Sequence, residues 1–236
     1  MRLDAYLAKE SLVPSREKAR ALILEGQILV DGKAASKPSM EVIEGVSIEL
    51  LSPSRYVGRA ALKLQGFLES HPEISLKGER VLDIGSSTGG FAQVALQAGA
   101  LSVTCVDVGR DQLAKELRED SRIALFEGMD IRDFQDEPFN WVLCDVSFIS
   151  LSKVLPDIHR LCAQGAILLF KPQFEVGREA KRNRKGVVVE ADRIHVRLKE
   201  FGAECERFGF KVDACEPSKT KGKEGNEEFF LYIRRS

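Results

Sequence analysis

Val81-Leu-Asp-Ile-Gly85-Ser-Ser-Thr-Gly89-Gly90-Phe91 decides the fold. A short apolar run of strand length stops at a glycine, turns through Ser86, Ser87, Thr88, Gly89 and Gly90, and enters a helix at Phe91. Glycines let a backbone approach a ligand, and a helix start offers free N–H groups. Outward from this turn, apolar runs alternate with amphipathic stretches. Strands are expected at 80–84, 102–107, 123–126, 141–145, 166–171, 210–215 and 229–234, and helices at 59–70, 90–98, 110–120, 151–162 and 192–208. That alternation predicts an α/β fold, a Rossmann-like, doubly wound sheet of seven mostly parallel strands. The last two strands follow each other without a helix, which predicts an antiparallel edge.

Spacing narrows the ligand. A dinucleotide fingerprint reads Gly-x-Gly-x-x-Gly, whereas these glycines run Gly-x-x-x-Gly-Gly behind an acid, Asp83. Asp83 would repel a pyrophosphate but can pair with an ammonium. Roughly twenty residues on, Asp107 ends the next strand, where a carboxylate can accept both ribose hydroxyls of an adenosine. Asp130, in Gly128-Met-Asp130 after the third strand, is placed to meet an adenine amino group. S-Adenosylmethionine, cationic at sulfur and amine, is therefore the expected cofactor. Its expected site is Asp83, Gly85, Ser86, Ser87, Thr88, Gly89, Gly90, Phe91, Asp107, Asp130 and Asp145.

Four further segments each set one charge beside an apolar run: Lys63 in Gly58-Arg-Ala-Ala-Leu-Lys63-Leu64, Asp145 in Cys144-Asp145-Val-Ser-Phe-Ile-Ser150, Lys171 in Phe170-Lys171-Pro-Gln-Phe-Glu175, and Glu228 in Gly225-Asn-Glu-Glu228-Phe-Phe230. Such charges are costly to bury singly and tolerable when they meet. Methyl transfer to a ribose hydroxyl, a weak acid, needs a base and in-line placement. A lysine serves as base only where burial or a nearby cation disfavours its charged form. Lys171 is the candidate base, Lys63 the neighbouring cation that also holds the ribose, Glu228 the orienting carboxylate, and Asp145 the group beside the transferring methyl. The Asn/Asp-Pro-Pro-Tyr of amine methylation and the Pro-Cys of carbon-5 methylation are both missing.

The formal net charge is −1, so nucleic-acid binding has to be argued from local clusters. Arg182, Arg184 and Lys185 follow the candidate base and are expected to face RNA phosphates. Five cysteines without a Cys-x-x-Cys pair argue against a disulfide framework or a zinc site, and no metal is expected. No run approaches the ~20 apolar residues that span a bilayer, and the first residues lack a signal-peptide core, which predicts a cytoplasmic protein.

Residues 1–50 read as a separate α+β module. A helix starts at Ser15-Arg-Glu-Lys18 and ends at Gly26; strands follow at 28–30 and 46–50, with a turn at Asp31-Gly32. The order Arg2-Leu-Asp-x-x-Leu, Ser15-Arg-x-x-Ala and Gly26-x-Ile-x-Val-Asp-Gly32 resembles the alpha-L RNA-binding module. The resemblance implies that Arg2, Ser15, Arg16, Lys18, Arg20 and Lys33 face RNA. A linker at 51–57, with Pro53 discouraging helix, leads to the main domain at 58–236.

The lysine–aspartate–lysine–glutamate order resembles the FtsJ-type ribose 2′-O-methyltransferases, whose domain is of the class I S-adenosylmethionine-dependent kind. Asp145-Val-Ser-Phe-Ile-Ser-Leu151, Lys171-Pro-Gln-Phe-Glu-Val-Gly177 and Gly225-Asn-x-Glu-Phe-Phe230 resemble the TlyA branch, which also carries the alpha-L module. That resemblance implies methylation of a cytidine 2′-hydroxyl in ribosomal RNA and sensitivity to capreomycin-type antibiotics. The implied partners are ribosomal RNA and ribosomal subunits, with neither DNA nor a membrane. The short start before Arg2 implies the large-subunit RNA as target. Two alternatives stand beside this reading. One is a membrane-damaging haemolysin, after the label many relatives carry. The other is a catalytically silent RNA-binding assembly factor, against which the four filled charge positions and the intact glycine loop weigh.

Overall fold

The structure, a computed structural model, describes residues 1–13, 15–24, 27–35, 37–43, 45–50, 56–222 and 225–236. Gly26, expected to end a helix, and residues 51–55 of the expected linker, Pro53 among them, lie outside the described residues. Two compact units form, Met1–Arg59 and Ala60–Ser236.

The smaller unit runs α1 (Leu3–Lys9), α2 (Arg16–Leu24), β1 (Ile28–Val30), β2 (Lys33–Ala34) and β3 (Ile48–Leu50). Its antiparallel sheet has the order β2-β1-β3. Ser15 starts α2 by accepting the Lys18 N–H on its Oγ at 3.1 Å. Asp31 and Gly32 turn the β1–β2 hairpin with φ values of 49° and 73°, the left-handed pair that a two-residue hairpin requires. Leu3, Leu7, Ala19, Ile23 and Ile28 close a core of their own. The helix α1 was not expected from the sequence; its Asp4 explains its place. Asp4 is buried, accepts two 3.0 Å hydrogen bonds from the Arg2 guanidinium, and pairs with Arg16 at 3.2 Å. Those hydrogen bonds, Arg2 first, hold its carboxyl down at about 2.

The larger unit runs α3 (Arg59–Ser70), β4 (Arg80–Ile84), α4 (Gly90–Gln97), β5 (Ser102–Asp107), α5 (Lys115–Arg118), β6 (Ile123–Glu127), β7 (Phe139–Cys144), α6 (Leu151–Leu161), β8 (Cys162–Phe170), α7 (Pro172–Glu175), α8 (Ala191–Arg207), β9 (Phe210–Pro217) and β10 (Phe229–Arg235). Seven strands pair in the order β6-β5-β4-β7-β8-β10-β9. All are parallel except β10, which runs antiparallel to both β8 and β9. The chain winds from β4 outward to β6, then returns to β7 on the other side of β4. This reversal opens a crevice beyond the carboxyl ends of β4 and β7.

Both faces of the sheet are covered, which is why its central strands are largely apolar and buried, Asp83 being the buried charge among them. On one face α6 and α8 pack Leu155, Ile158, Leu198 and Phe201 over Val142, Leu168 and Phe170. On the other, Phe67 of α3 stacks on Phe230 with centroids 4.7 Å apart, and Phe91 of α4 lies 6.2 Å from the same ring. Each such ring contributes roughly 1.5–3 kcal/mol by leaving water. Gly90 lets α3 come close to α4, since a Cβ there would stand 2.8 Å from the Ala61 nitrogen.

One helix expectation fails. Residues 110–120 form only the single turn α5. The Gly109 and Gln112 N–H groups are taken by the carboxylates of Asp107 (2.7 Å) and Glu127 (3.1 Å) instead of helix carbonyls. The segment therefore runs as an open loop beside the crevice.

Replacing Asp4 by Asn should lower the thermal midpoint of the smaller unit. Its folded carboxyl is depressed, so the stability it adds is fully present above the ordinary value of ~3.9. The contribution is lost as pH falls through about 2. Parent and variant melting curves followed by calorimetry should accordingly converge as the pH is lowered through that window.

Candidate active site

The sheet register brings the four charges together. Ile84 pairs with Cys144, Cys144 with Leu168, and Phe170 with Phe229. Asp145 and Lys171 follow the ends of β7 and β8, and Glu228 precedes β10, so all three lie just past the ladder at one edge. Lys63 reaches this edge from α3. Lys171 Nζ meets Asp145 Oδ1 at 2.6 Å, and Lys63 Nζ donates to Glu228 Oε2 at 2.6 Å. All four side chains are nearly buried. Burial pushes the Asp145 carboxyl up, against the pull of Lys171 and then Lys63, with Glu228 adding to the rise. The arrangement is two ion pairs in one electrostatic cluster. Among the described residues the ion pairs are Lys63 with Glu228 and Lys171 with Asp145, so each lysine has its own carboxylate, where Glu228 was expected to orient both.

Ser147, which sequence reasoning passed over, accepts a 2.9 Å hydrogen bond from Lys171 Nζ. Its signal was present in the quoted Asp145-Val-Ser motif. Phe148 was also missed. It sits at φ 66°, rare for a bulky residue, and leaves its ring 91% exposed, 5.2 Å from Phe174. No composition or periodicity marks such a residue.

A cavity of about 430 Å³ occupies the crevice. Of the residues expected to hold a cofactor, Gly85, Ser87, Asp107, Asp130 and Asp145 line it, joined by Gln112, Met129 and the 146–149 loop. Gly85 is obligatory at φ 79°, where a Cβ would stand 2.9 Å from the Asp145 carbonyl oxygen. Asp107 accepts the Ser87 N–H at 2.8 Å as well as that of Gly109, so the carboxylate shapes the glycine loop while keeping lone pairs toward the cavity. Asp130 is held by the Arg132 guanidinium at 2.6 Å, and that hydrogen bond, helped by the Arg132 N–H, sets its carboxyl below the usual range against the opposing effect of burial.

Asp83, Ser86, Thr88, Gly89, Gly90 and Phe91 are not on the cavity wall. Phe91 packs in the core, and Gly89 caps α4 at φ 94°. Asp83 is fully buried behind the wall, its Oδ2 accepting the Ala92 N–H at 3.0 Å and its Oδ1 unpartnered. Desolvation first, then the Asp145 charge, pushes its carboxyl up to about 8. The wall combines apolar surface with three carboxylates, and an orphaned acid stands behind it. That donor set fits a ligand with a flat apolar body, hydroxyls and positive charge. Among the described residues no group of His, Cys, Asp and Glu could hold a metal ion, and no helix is long and apolar enough to cross a membrane.

The residues expected to face RNA divide. Arg184 and Lys185 stand exposed at the tip of a hairpin closed by the Arg182–Val188 bridge and an Asn183–Gly186 turn. Arg182 does not join them. Its guanidinium donates to the carbonyls of Gln173, Gly177, Arg178 and Ala180, which uses its donors to hold the loop. In the smaller unit Lys18, Arg20 and Lys33 are exposed, Arg2 and Arg16 are held on Asp4, and Ser15 caps α2.

The FtsJ-like methyltransferase family matches residues 56–235, and the S4 domain family matches residues 1–48. The chain is 41% identical to the 23S rRNA (cytidine-2'-O)-methyltransferase TlyA of Campylobacter jejuni, over 98% of each chain. It is 36% identical to the 16S/23S rRNA (cytidine-2'-O)-methyltransferase TlyA of Mycobacterium tuberculosis, over 99% of this chain and 89% of that one. A solved structure from Streptococcus thermophilus, described as a haemolysin, superposes with a TM-score of 0.76 at 34% identity, covering 100% of this chain and 88% of its own.

Asp83 gives a sharp test of the site's electrostatics. A carboxyl raised in the folded state is indifferent to folding below ~4 and weakens it increasingly as pH climbs toward the raised value. Asp83→Asn should therefore raise the thermal midpoint of the ligand-free protein at pH 7.5, with the gain vanishing toward pH 4. Scanning calorimetry across that range checks the prediction; a gain independent of pH would place the ionisation elsewhere.

Proposed function

The chain belongs to the FtsJ-like methyltransferase family, in its TlyA branch, and on that premise we propose that it transfers the methyl group of S-adenosylmethionine to the 2′-hydroxyl of a cytidine ribose in ribosomal RNA. The observation that carries this reading is the meeting of Lys171–Asp145 and Lys63–Glu228 at one sheet edge, with Asp145 also on the cavity wall. Two lysines and two carboxylates, in a sequence with no Pro-Cys or Asn/Asp-Pro-Pro-Tyr element, suit an oxygen nucleophile that must lose a proton.

S-Adenosylmethionine supplies an electrophilic methyl on a sulfonium. Asp107 would accept the ribose hydroxyls of its adenosine, Asp130 would meet the adenine amino group, and Gly85 would permit close approach of the backbone. Asp145 borders both the cavity and Lys171, so it lies where positive charge is drawn toward the reacting oxygen. Lys171, in its neutral form, would take the 2′-hydroxyl proton as the O–C bond forms and the methyl's bond to sulfur breaks, leaving S-adenosylhomocysteine, and would afterwards release the proton to water. Lys63, fixed by Glu228, holds the ribose for in-line attack. The exposed ring of Phe148 gives an unstacked base a face to rest on.

The S4 domain supplies RNA affinity through Lys18, Arg20 and Lys33, and the Arg184–Lys185 tip adds phosphate contacts near the site. Large-subunit RNA is the favoured target, because identity is higher to the relative named for 23S RNA than to the one named for both. Ribosomal subunits as partners imply work in the cytoplasm. No metal takes part in this scheme.

Incubation of unmodified ribosomal subunits with the protein and S-adenosylmethionine, followed by ribose-methylation mapping, should reveal one 2′-O-methylcytidine, in 23S RNA. Methyl groups found only on bases would defeat the reading. Lys171→Arg keeps the charge but cannot take up a proton. Its single-turnover rate should drop by roughly 10²–10⁴, the usual contribution of a general base, with cofactor and RNA affinities nearly unchanged. A near-normal rate would reduce Lys171 to an electrostatic anchor.

A further inference from the structure

The motif after the candidate base contains a charge that methyl transfer does not use. Glu175, the last residue of the four-residue helix α7, turns its carboxylate inward until the side chain is 1% exposed. It accepts the Ser150 hydroxyl at 2.6 Å and the Leu151 N–H at 2.7 Å, with Arg197 standing 3.7 Å away. The Leu151 N–H is one of the first donors of α6, which have no partner inside the helix. An apolar residue would fill this space without the desolvation that a buried carboxylate suffers. The carboxylate is present for what it binds.

What it binds is the end of the loop 145–150. That loop is held to α7 and its cap in consecutive steps. Lys171, the cap residue, meets Asp145 and Ser147; Phe174 meets the Phe148 ring; Glu175 meets Ser150 and Leu151. Between the first and last contacts Phe148 sits in the left-handed region at φ 66°. A bulky residue stays there only when its surroundings over-determine the backbone. Glu175 supplies the constraint on the downstream side, two residues past the strained position. Its own orientation is fixed from α8, because Arg197 also donates to Ser152 at 2.5 Å and to Glu204 at 2.9 Å.

We propose that Glu175 is a positioning residue for methyl transfer, clasping the strained 145–150 loop to α7 so that Asp145 and Ser147 meet the Lys171 amine in one fixed geometry. This rests on the ribose-methylating reading above. Glu175 touches neither substrate nor cofactor in this role; it acts through the loop. Loss of the clasp lets Phe148 leave the left-handed region, and the loop then draws Asp145 and Ser147 away from Lys171. The opposite wall of the cavity, built by Gly85, Ser87, Asp107 and Asp130 on other strands, stays in place. Cofactor affinity should thus suffer far less than the chemical step.

Single-turnover methylation, calorimetric affinity for S-adenosylmethionine and thermal midpoint should be measured for the parent, Glu175→Leu, Glu175→Gln and Ser150→Ala. Glu175→Leu should slow methyl transfer about tenfold or more, as expected when reacting groups shift by a fraction of an ångström, while cofactor affinity changes less than about threefold. Glu175→Gln retains an acceptor for Leu151 and should recover most of the rate. Ser150→Ala deletes one of the two hydrogen bonds and should fall between them, and it decides the matter if the leucine variant does not fold. Rates equal to the parent in both Glu175→Leu and Ser150→Ala would overturn the clasp. So would a rate loss matched by the loss of cofactor affinity, or a glutamine variant no faster than the leucine one. A parent that leaves ribose unmethylated would instead sink the functional reading, and this inference with it.

Discussion

A lysine buried alone at the end of a β-strand is untenable, and the larger unit is organised around avoiding that state. Lys171 and Lys63 both leave water at the carboxyl edge, and each is matched by one carboxylate at 2.6 Å. Matching requires that β7, β8 and β10 end in register and that α3 pass close enough for Lys63 to reach. Such a cluster adds little stability compared with apolar packing of the same volume. Its value is geometric: removing one partner strands another charge in a desolvated place, so the four positions stand or fall as a unit.

Much of this arrangement could be read from the chain. Alternating apolar runs predicted seven strands, and the lack of a helix between the last two foretold the antiparallel β9–β10 edge. The four charges were recognisable because each interrupts or bounds an apolar run. What escaped has physical causes. The 110–120 helix pattern lost at its start, where the Asp107 carboxylate takes the Gly109 N–H and Glu127, fifteen residues on, takes that of Gln112. The helix α7 is four residues long, too short for periodicity, although Pro172 after Lys171 marks its first turn. Asp83 reads as a ligand in the sequence and stands behind the wall in the structure, because the strand's alternation points it inward beneath α4. Arg182 looks like its basic neighbours, and only the four carbonyls around it reveal a loop-holding role.

The small N-terminal unit follows a different logic. Its exposed cations stand over a core no larger than a few helical and strand residues, and the buried Asp4 gathers Arg2 and Arg16 into one place. A carboxylate that binds two arginines orders them without exhausting their donors, since each guanidinium carries five. Fixed cations lose less freedom on meeting a phosphate than free ones do. Near-neutral overall charge is thereby compatible with a locally basic surface.

The close approach of α3 to α4 at Gly90 has a bearing on how mutations in this protein should be interpreted. One helix carries Lys63 and the other begins at the glycine loop, so a single interhelical spacing sets the distance between the Lys63 amine and that loop. A side chain at position 90, or a larger one at Ala60 or Ala61, would widen that spacing without touching any charged group. In a survey of inactivating substitutions these small apolar positions would score beside the lysines themselves, and a reader seeking catalytic groups would count them falsely. Their role is that of a gauge block: they carry no chemistry, yet they define the gap in which the chemistry is done.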